Sequence, residues 1–319
     1  MMRGGGHEPM RNTYVLTEAA IQLAIFIVLF LVFLYVPLLS MIVPFFLSLP
    51  FIILTMRRGY GAGLVLLVAA IILSSWIGSF LSMLVAVMFG TVGIVIGVLL
   101  VKQKNRYLIL MVTTLVFLVN LVVDYIISVK FFGIDIIAKS ITMLDHSFRT
   151  AFNIMQGMGQ EVPKQLQEFF QFGLELLKYV TPTMFVLSAL AAAYLTILAS
   201  SPILKRLNMA TGAWPPFRHL TLPKPFLWCY MLVLIVMFFP LEKGTFAFII
   251  VVNFYLLLQF LFLIQGFSFL YYVAAQKRIA KAFVVIGTLF CFLFWFFTFR
   301  VIALLGIIDV GFELRKRIQ

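Results

Sequence analysis

The chain has 319 residues, of which 64% are hydrophobic and only 11% charged. A water-facing globule carries roughly a quarter charged residues, so a soluble domain is excluded, and the 36 phenylalanines suit lipid-facing and helix-packing surfaces. The formal net charge of +13 sits in short connectors between apolar runs rather than along one helix face or in a tail, which argues against nucleic acid and matches the positive-inside pattern of membrane proteins.

A membrane-crossing helix needs about 20 apolar residues, because each adds about 1.5 Å toward about 30 Å of hydrocarbon. After a polar head over 1–15 with Arg3 and Arg11, the first such run is 16–36. Its length and flanks predict a retained span rather than a cleaved leader. The second run, 37–55, contains Pro37, Pro44 and Pro50 and is expected to be kinked or partly irregular; Arg57 and Arg58 close it. No residue from Gly61 to Val101 is charged. That stretch is too long for one helix, so two spans are expected, divided near Ser79. Lys102, Lys104 and Arg106 follow, then a fifth span at 108–127.

The segment 130–178 differs in pattern. Ile137, Ile141, Leu144, Phe148, Phe152 and Met155 recur at helical spacing along one stripe,. Gly157 and Gly159 interrupt it, and Pro163 suits the start of a second helix carrying Leu166, Phe170 and Leu177. The expectation is an extracytoplasmic amphipathic helical hairpin on the membrane or over the bundle; a soluble loop helix packed on its own neighbours fits the pattern equally. Further spans are expected at 179–199, 226–240, 245–274 and 282–299, with a shorter apolar piece at 301–308 and a basic tail over 309–319. The predicted fold is all-α: a polytopic transmembrane helix bundle of eight or nine spans. It comprises a five-span N-terminal part (16–129), the hairpin and the C-terminal spans (179–308).

Placing the N-terminus in the cytoplasm and alternating gathers Arg3, Arg11, Arg57, Arg58, Lys102, Lys104, Arg106, Lys205, Arg206, Arg218, Lys224, Lys277, Arg278 and Lys281 on one side. Glu8 is their only acid apart from Glu18 at the entry of the first span, so a multi-pass protein of the bacterial plasma membrane with a cytoplasmic N-terminus is expected. Nine spans leave Arg315, Lys316 and Arg317 outside, against the rule. A merged early pair, or a final segment that re-enters, would bring them back.

Polar residues within hydrocarbon mark candidate sites. Asn120 and Asp124, four apart on the fifth span, share a face, and with Asn253 and Gln265 of the eighth span they are the candidate ligand-binding residues. Interhelical hydrogen bonding is the commoner role for Asn253, Gln259 and Gln265. Glu18, Arg300 and Asp309 read as structural polar groups: Glu18 solvated at the interface, the other two flanking the last apolar piece as an ion pair or by snorkelling. Ala20 and Ala24 form a small-xxx-small pair suited to close helix packing, internal or with a partner.

No catalytic residue is predicted. His7, His146 and His219 fall in the head and loops without a paired carboxylate, and neither HExxH nor a glycine-rich phosphate loop occurs,. Cys229 and Cys291 lie in separate apolar runs and read as buried thiols. No enzymatic activity, metal or cofactor is expected.

Several short motifs carry a resemblance over nearly the whole chain. They are Leu16-Thr17-Glu18-Ala19-Ala20, Pro215-Pro216-Phe217-Arg218, Gln265-Gly266, Leu305-Gly306-Ile307-Ile308-Asp309 and Gly311-Phe312-Glu313-Leu314-Arg315-Lys316. In this order and spacing the chain resembles the YybS-like family of bacterial membrane proteins of unknown function. The N-terminal part of that family is in turn similar to the S-components of energy-coupling-factor transporters. Those are six-helix bundles that capture vitamins or metals and dock on a transmembrane coupling subunit through small residues of the first helix. Ala20 and Ala24 match that Ala-x-x-x-Ala pattern, whereas the hairpin and the three further C-terminal spans depart from it. The resemblance implies a solute-binding or transport component, with the bilayer, other membrane subunits and a coupling or ATPase module as partners. The alternative is a structural or scaffolding protein of the envelope.

Overall fold

The computed structural model describes residues 8–209, 211–212 and 214–317; Arg3 and His7 of the polar head lie outside the described residues. Regular structure among the described residues is helical throughout, and the chain divides into two compact units.

The first unit comprises Met1–Ile136 and Phe185–Ala213. It contains α1 (Glu8–Tyr35), α2 (Pro44–Leu47), α3 (Leu49–Arg58), α4 (Tyr60–Ile77), α5 (Phe80–Val101) and α6 (Arg106–Phe132). The proline-rich second run is irregular, as expected: turns over 36–43 lead into α2 and α3. Pro44 and Pro50 take the first positions of these helices, where a missing N–H breaks no bond. Ten residues of helix reach about 15 Å, too short to cross a bilayer alone, yet every residue from Leu49 to Thr55 is buried. Close backbone approach explains this. A methyl group on Gly93 of α5 would lie 2.5 Å from the Ser48 carbonyl oxygen, and one on Gly97 would lie 2.8 Å from Thr55 Cβ. Lipid is as apolar as leucine, so such van der Waals fit, rather than apolar burial, sets helix against helix. The division between α4 and α5 falls where the sequence placed it. Ser79 caps α5 in a reciprocal capping box with Ser82, satisfying end N–H groups that hydrocarbon would leave unpaired.

The second unit comprises Ile137–Met184 and Trp214–Gln319. Helix α7 (Ile136–Gly157) and the start of α8 (Lys164–Arg206) make a helical hairpin, with Phe170 set against Phe148 and Phe152 at ring-centroid distances of 4.2 and 5.6 Å. No break separates the hairpin from the stretch 179–199. α8 is one helix of 43 residues, with a contour of about 65 Å, that passes Lys178 and Pro182 without interruption.

α9 (Pro225–Met237), α10 (Phe246–Gln276), α11 (Lys281–Leu293), α12 (Trp295–Phe312) and α13 (Leu314–Arg317) complete this unit. Its core gathers Tyr230, Val233, Leu258, Phe262, Ala303 and Val310. α10 and α12 cross at Gly266 and Gly306. A methyl group on Gly266 would strike the Ile302 carbonyl, and one on Gly306 the Phe262 carbonyl. The ninth run is not one span: Phe294, at φ −104° and ψ 36°, separates α11 from α12. Thr288 of α11 meets Tyr271 and Phe292 meets Phe267, so α11 runs back along α10. α12 then returns, and Arg315 beyond it donates to the Arg218 carbonyl at 2.8 Å. The basic tail therefore lies at the same end of this unit as the 214–224 loop and the α10–α11 connector.

Among the described residues six helices are long and apolar enough to cross a membrane: the stretch Tyr14–Tyr35 of α1, α4, α5, α6, α8 and α10. Pro225–Met237 and Ala282–Leu293 are shorter apolar helices.

Candidate functional site

The polar residues singled out in the sequence separate into four places. On α1, Glu18 accepts from Arg57 Nη1 at 2.9 Å and Arg58 Nε at 2.6 Å, with its own side chain 14% exposed. This ties the start of α1 to the end of α3. Ala20 and Ala24 are exposed in the unit, and the close helix contacts are made by Gly93 and Gly97 instead. On α6, Asn120 donates to Thr91 Oγ1 at 3.2 Å and to the Val116 carbonyl at 2.8 Å. Asp124, one turn on, is partly buried and forms no hydrogen bond or ion pair among the described residues.

Asn253 of α10 has a different task. Its Oδ1 accepts from Thr183 N at 2.9 Å and Thr183 Oγ1 at 2.6 Å, while its Nδ2 donates to the carbonyls of Tyr179 and Ile249, both at 2.7 Å. Tyr179 and Thr183 flank Pro182, whose ring crowds the carbonyl four residues back and opens the helical ladder. The Asn253 amide thus serves as a substitute peptide, using all its donors and acceptors to close the gap. Nearby, the Tyr179 ring stands edge-on to Phe248 and Lys243 Nζ lies 4.9 Å from the Phe172 ring centre. The base of the hairpin is fixed at the α9–α10 end of the unit.

At the opposite end the resemblance motifs converge on one polar corner. Gln265 Nε2 donates to Asp309 Oδ2 at 2.6 Å, and Gln265 Oε1 accepts from Leu222 N at 3.0 Å. Arg315 Nε reaches the same Asp309 oxygen at 2.9 Å, and its Nη2 reaches Ser268 Oγ at 3.1 Å. Ser268 Oγ sits 2.8 Å from the Phe217 carbonyl and 2.9 Å from that of Leu220. The Arg315 guanidinium lies 5.4 Å from the Tyr272 ring centre, within cation–π range. Asp309 thus pairs with Arg315 of the basic tail rather than with Arg300, which is exposed on α12. The side chains of Asp309 and Arg315 are 2% and 12% exposed, so the pair is desolvated, and each member needs the other.

Gln259, the third polar residue of α10, accepts from the Tyr230 hydroxyl at 2.8 Å. Cys229 is exposed and Cys291 half-buried, which corrects the expectation of two buried thiols: α9 turns Cys229 away from the core. The tail end of this unit carries Arg218, Lys224, Lys277, Arg278, Lys281, Arg315, Lys316 and Arg317 with Asp309 and Glu313 as the accompanying acids. The hairpin and the α9–α10 loop instead balance Lys139, Arg149, Lys164, Lys178 and Lys243 with Asp145, Glu161, Glu168, Glu175 and Glu242.

The family model described as "Predicted membrane protein (DUF2232)" matches residues 24–310. The uncharacterized protein YybS of Bacillus subtilis (strain 168) is 30% identical over 312 residues, covering 97% of this chain and 100% of that protein. No solved structure matches the chain.

Proposed function

Since the chain belongs to the DUF2232 family of predicted membrane proteins, we propose that it is a multi-pass scaffold of the bacterial cell envelope that docks other components through the hairpin of α7 and α8, without chemistry of its own. The observation that carries this reading is the continuity of α8, which joins the hairpin arm to an apolar stretch in one 43-residue helix. A stiff helix transmits position in a way that a flexible loop does not. Supporting it, the buried amides of α10 are engaged: Asn253 mends α8, and Gln265 holds the polar corner. α7 has no buried residue, and Met143, Phe169 and Phe172 are exposed on the hairpin. In this reading the basic tail end faces the cytoplasm and the charge-balanced hairpin faces outward.

The test places a photo-crosslinking residue at Met143, Phe169 or Phe172, with Leu232 of α9 as a lipid-facing control. Envelope proteins are expected to be captured from the hairpin positions and not from the control. Full complementation of a deletion strain by a chain lacking α7 would overturn the reading.

Asp124 favours a second reading, solute capture within the first unit. A carboxylate on a membrane-crossing helix is costly without a partner, and Asp124 forms no hydrogen bond or ion pair among the described residues. That unit also gathers α1 to α6 and the latter part of α8, a helical bundle in which such a site could be enclosed. Here Asp124→Asn and Asn120→Ala are expected to abolish complementation while removal of α7 leaves it intact, the reverse of the first reading.

A further inference from the structure

We propose that the groove between α10 and α11 binds one anionic phospholipid, with an acyl chain lying between the helices and the phosphate held at Lys277 and Arg278. The inference is independent of what the hairpin docks.

The two helices touch through large side chains. The Tyr271 hydroxyl and Thr288 Oγ1 are 3.2 Å apart, and the Phe267 and Phe292 rings stack at 6.0 Å with planes 8° apart. Between these contacts and the connector lies a groove of about 400 Å³, lined by Leu270, Ala274, Ile279, Phe283, Gly287 and Cys291 among others, with no charged residue in its walls. Its size is that of a small-ligand site. The groove is open at Gly287, where an added methyl group would meet nothing within 4 Å. Phe283 beside it is 72% exposed. In a bilayer such a cleft cannot hold water at low cost, because its walls offer almost no hydrogen-bond partners; an acyl chain fills it.

Charge at one end of the groove selects the lipid. Ala274 and Ile279 both line the groove and bracket the connector between the helices. Ile279 N donates back to the Ala274 carbonyl at 2.9 Å, closing the end of α10 with Arg278 in the left-handed region at φ 53°. This turn fixes Lys277 and Arg278, both exposed, at the mouth. Neither forms an ion pair or a side-chain hydrogen bond among the described residues, and the acids at this end of the unit are already held, Asp309 by Arg315 and Glu313 by Lys224 and Lys316. A phospholipid phosphate meets two cations there while one acyl chain enters the apolar cleft. A zwitterionic headgroup brings its own cation and gains less, and a soluble anion leaves the cleft empty.

The test reconstitutes the full chain in nanodiscs of phosphatidylcholine with a minor share of phosphatidylglycerol, then counts the lipids retained on release into the gas phase by native mass spectrometry. The wild type is expected to keep one phosphatidylglycerol in preference to phosphatidylcholine. A basic residue near an anionic headgroup contributes about fivefold, so Lys277→Ala with Arg278→Ala is expected to reduce the preference about 25-fold. Gly287→Leu fills the groove at a site with free space and is expected to remove the retained lipid of either kind; its unchanged thermal unfolding would show that the fold survives. Lys243→Ala, at the hairpin end, should change nothing. Equal retention of both lipids by the wild type would overturn the proposal. So would a phosphatidylglycerol preference that survives both the connector and the groove variants, or one lost equally in Lys243→Ala.

Discussion

At the scale of single residues, a proline and an asparagine far apart in sequence explain each other. Pro182 leaves a gap in the α8 ladder, and Asn253 spans it from α10, bonding Thr183 N–H and the Tyr179 carbonyl. Asn253→Leu leaves Thr183, which is 1% exposed, without that partner. An unsatisfied buried group costs about 1–3 kcal/mol, so a clear fall in thermal unfolding temperature in detergent is expected. Pro182→Ala lets the helix close its own ladder, so the same asparagine replacement should cost much less in that background. Additive effects in the double-mutant cycle would refute the pairing. Neither role was legible beforehand: Asn253 read as a polar residue on an apolar helix, and only the fold brings it to the proline.

Glu313 makes a separate, pH-dependent case at this scale. Hydrogen bonds from Lys224, at 2.5 Å, and from Lys316 pull its carboxyl down from the ordinary 4.5 to about 2. A depressed acid stabilises the folded state fully above its unfolded value, and this is lost as pH falls through the folded one. The difference in unfolding temperature between wild type and Glu313→Gln should therefore be constant from neutral pH to about 5. It should vanish between about 4.5 and 2, and shrink in high salt because the site is partly exposed. A difference that grows on acidification would contradict the contact.

At the scale of elements, small residues decide which helices meet within each unit, and the contacts there fall on glycines rather than on the alanine pair. Ala20 and Ala24 have the right spacing but are exposed. The contacts fall on Gly93 and Gly97 of α5 and on Gly266 and Gly306 where α10 crosses α12. Small residues are common in apolar runs, so spacing alone cannot tell a contact from a coincidence. Gly306→Leu drives a side chain into the Phe262 carbonyl, and overpacking typically costs about 1–3 kcal/mol. Loss of the folded protein, or a strong fall in its unfolding temperature, is expected. Gly287→Ala, on a helix of similar setting but facing open space, should be neutral or slightly stabilising through helix propensity. Equal tolerance at both positions would mean that α10 and α12 do not cross there. The helix boundary at Ser79 was readable because its cue is local, a cap in an uncharged run. The continuity of α8 was not, because Lys178 and Pro182 both argue locally for a break that a distant amide prevents.

At the scale of the whole chain, the membrane character was legible from composition and the course of the last segment was not. Phe294 carries no helix-breaking signature, so 282–299 reads as one span and the tail as lying on the far side. The return of α12 depends on its glycine contact with α10 and on Arg315, which meets Asp309, Ser268 and the Arg218 carbonyl at once. A guanidinium so held cannot sit across a bilayer from the 214–224 loop. The prediction is one of sidedness. Single cysteines at Arg218, Arg317 or Gly159, introduced with Cys229 and Cys291 replaced by alanine, are treated with a membrane-impermeant maleimide in intact and in opened cells. Positions 218 and 317 should label alike, only after the cells are opened, and 159 at the hairpin tip should label in intact cells. If 317 instead follows 159, then α11 and α12 form one crossing, the polar corner is not assembled in the membrane, and eight basic residues no longer share a face.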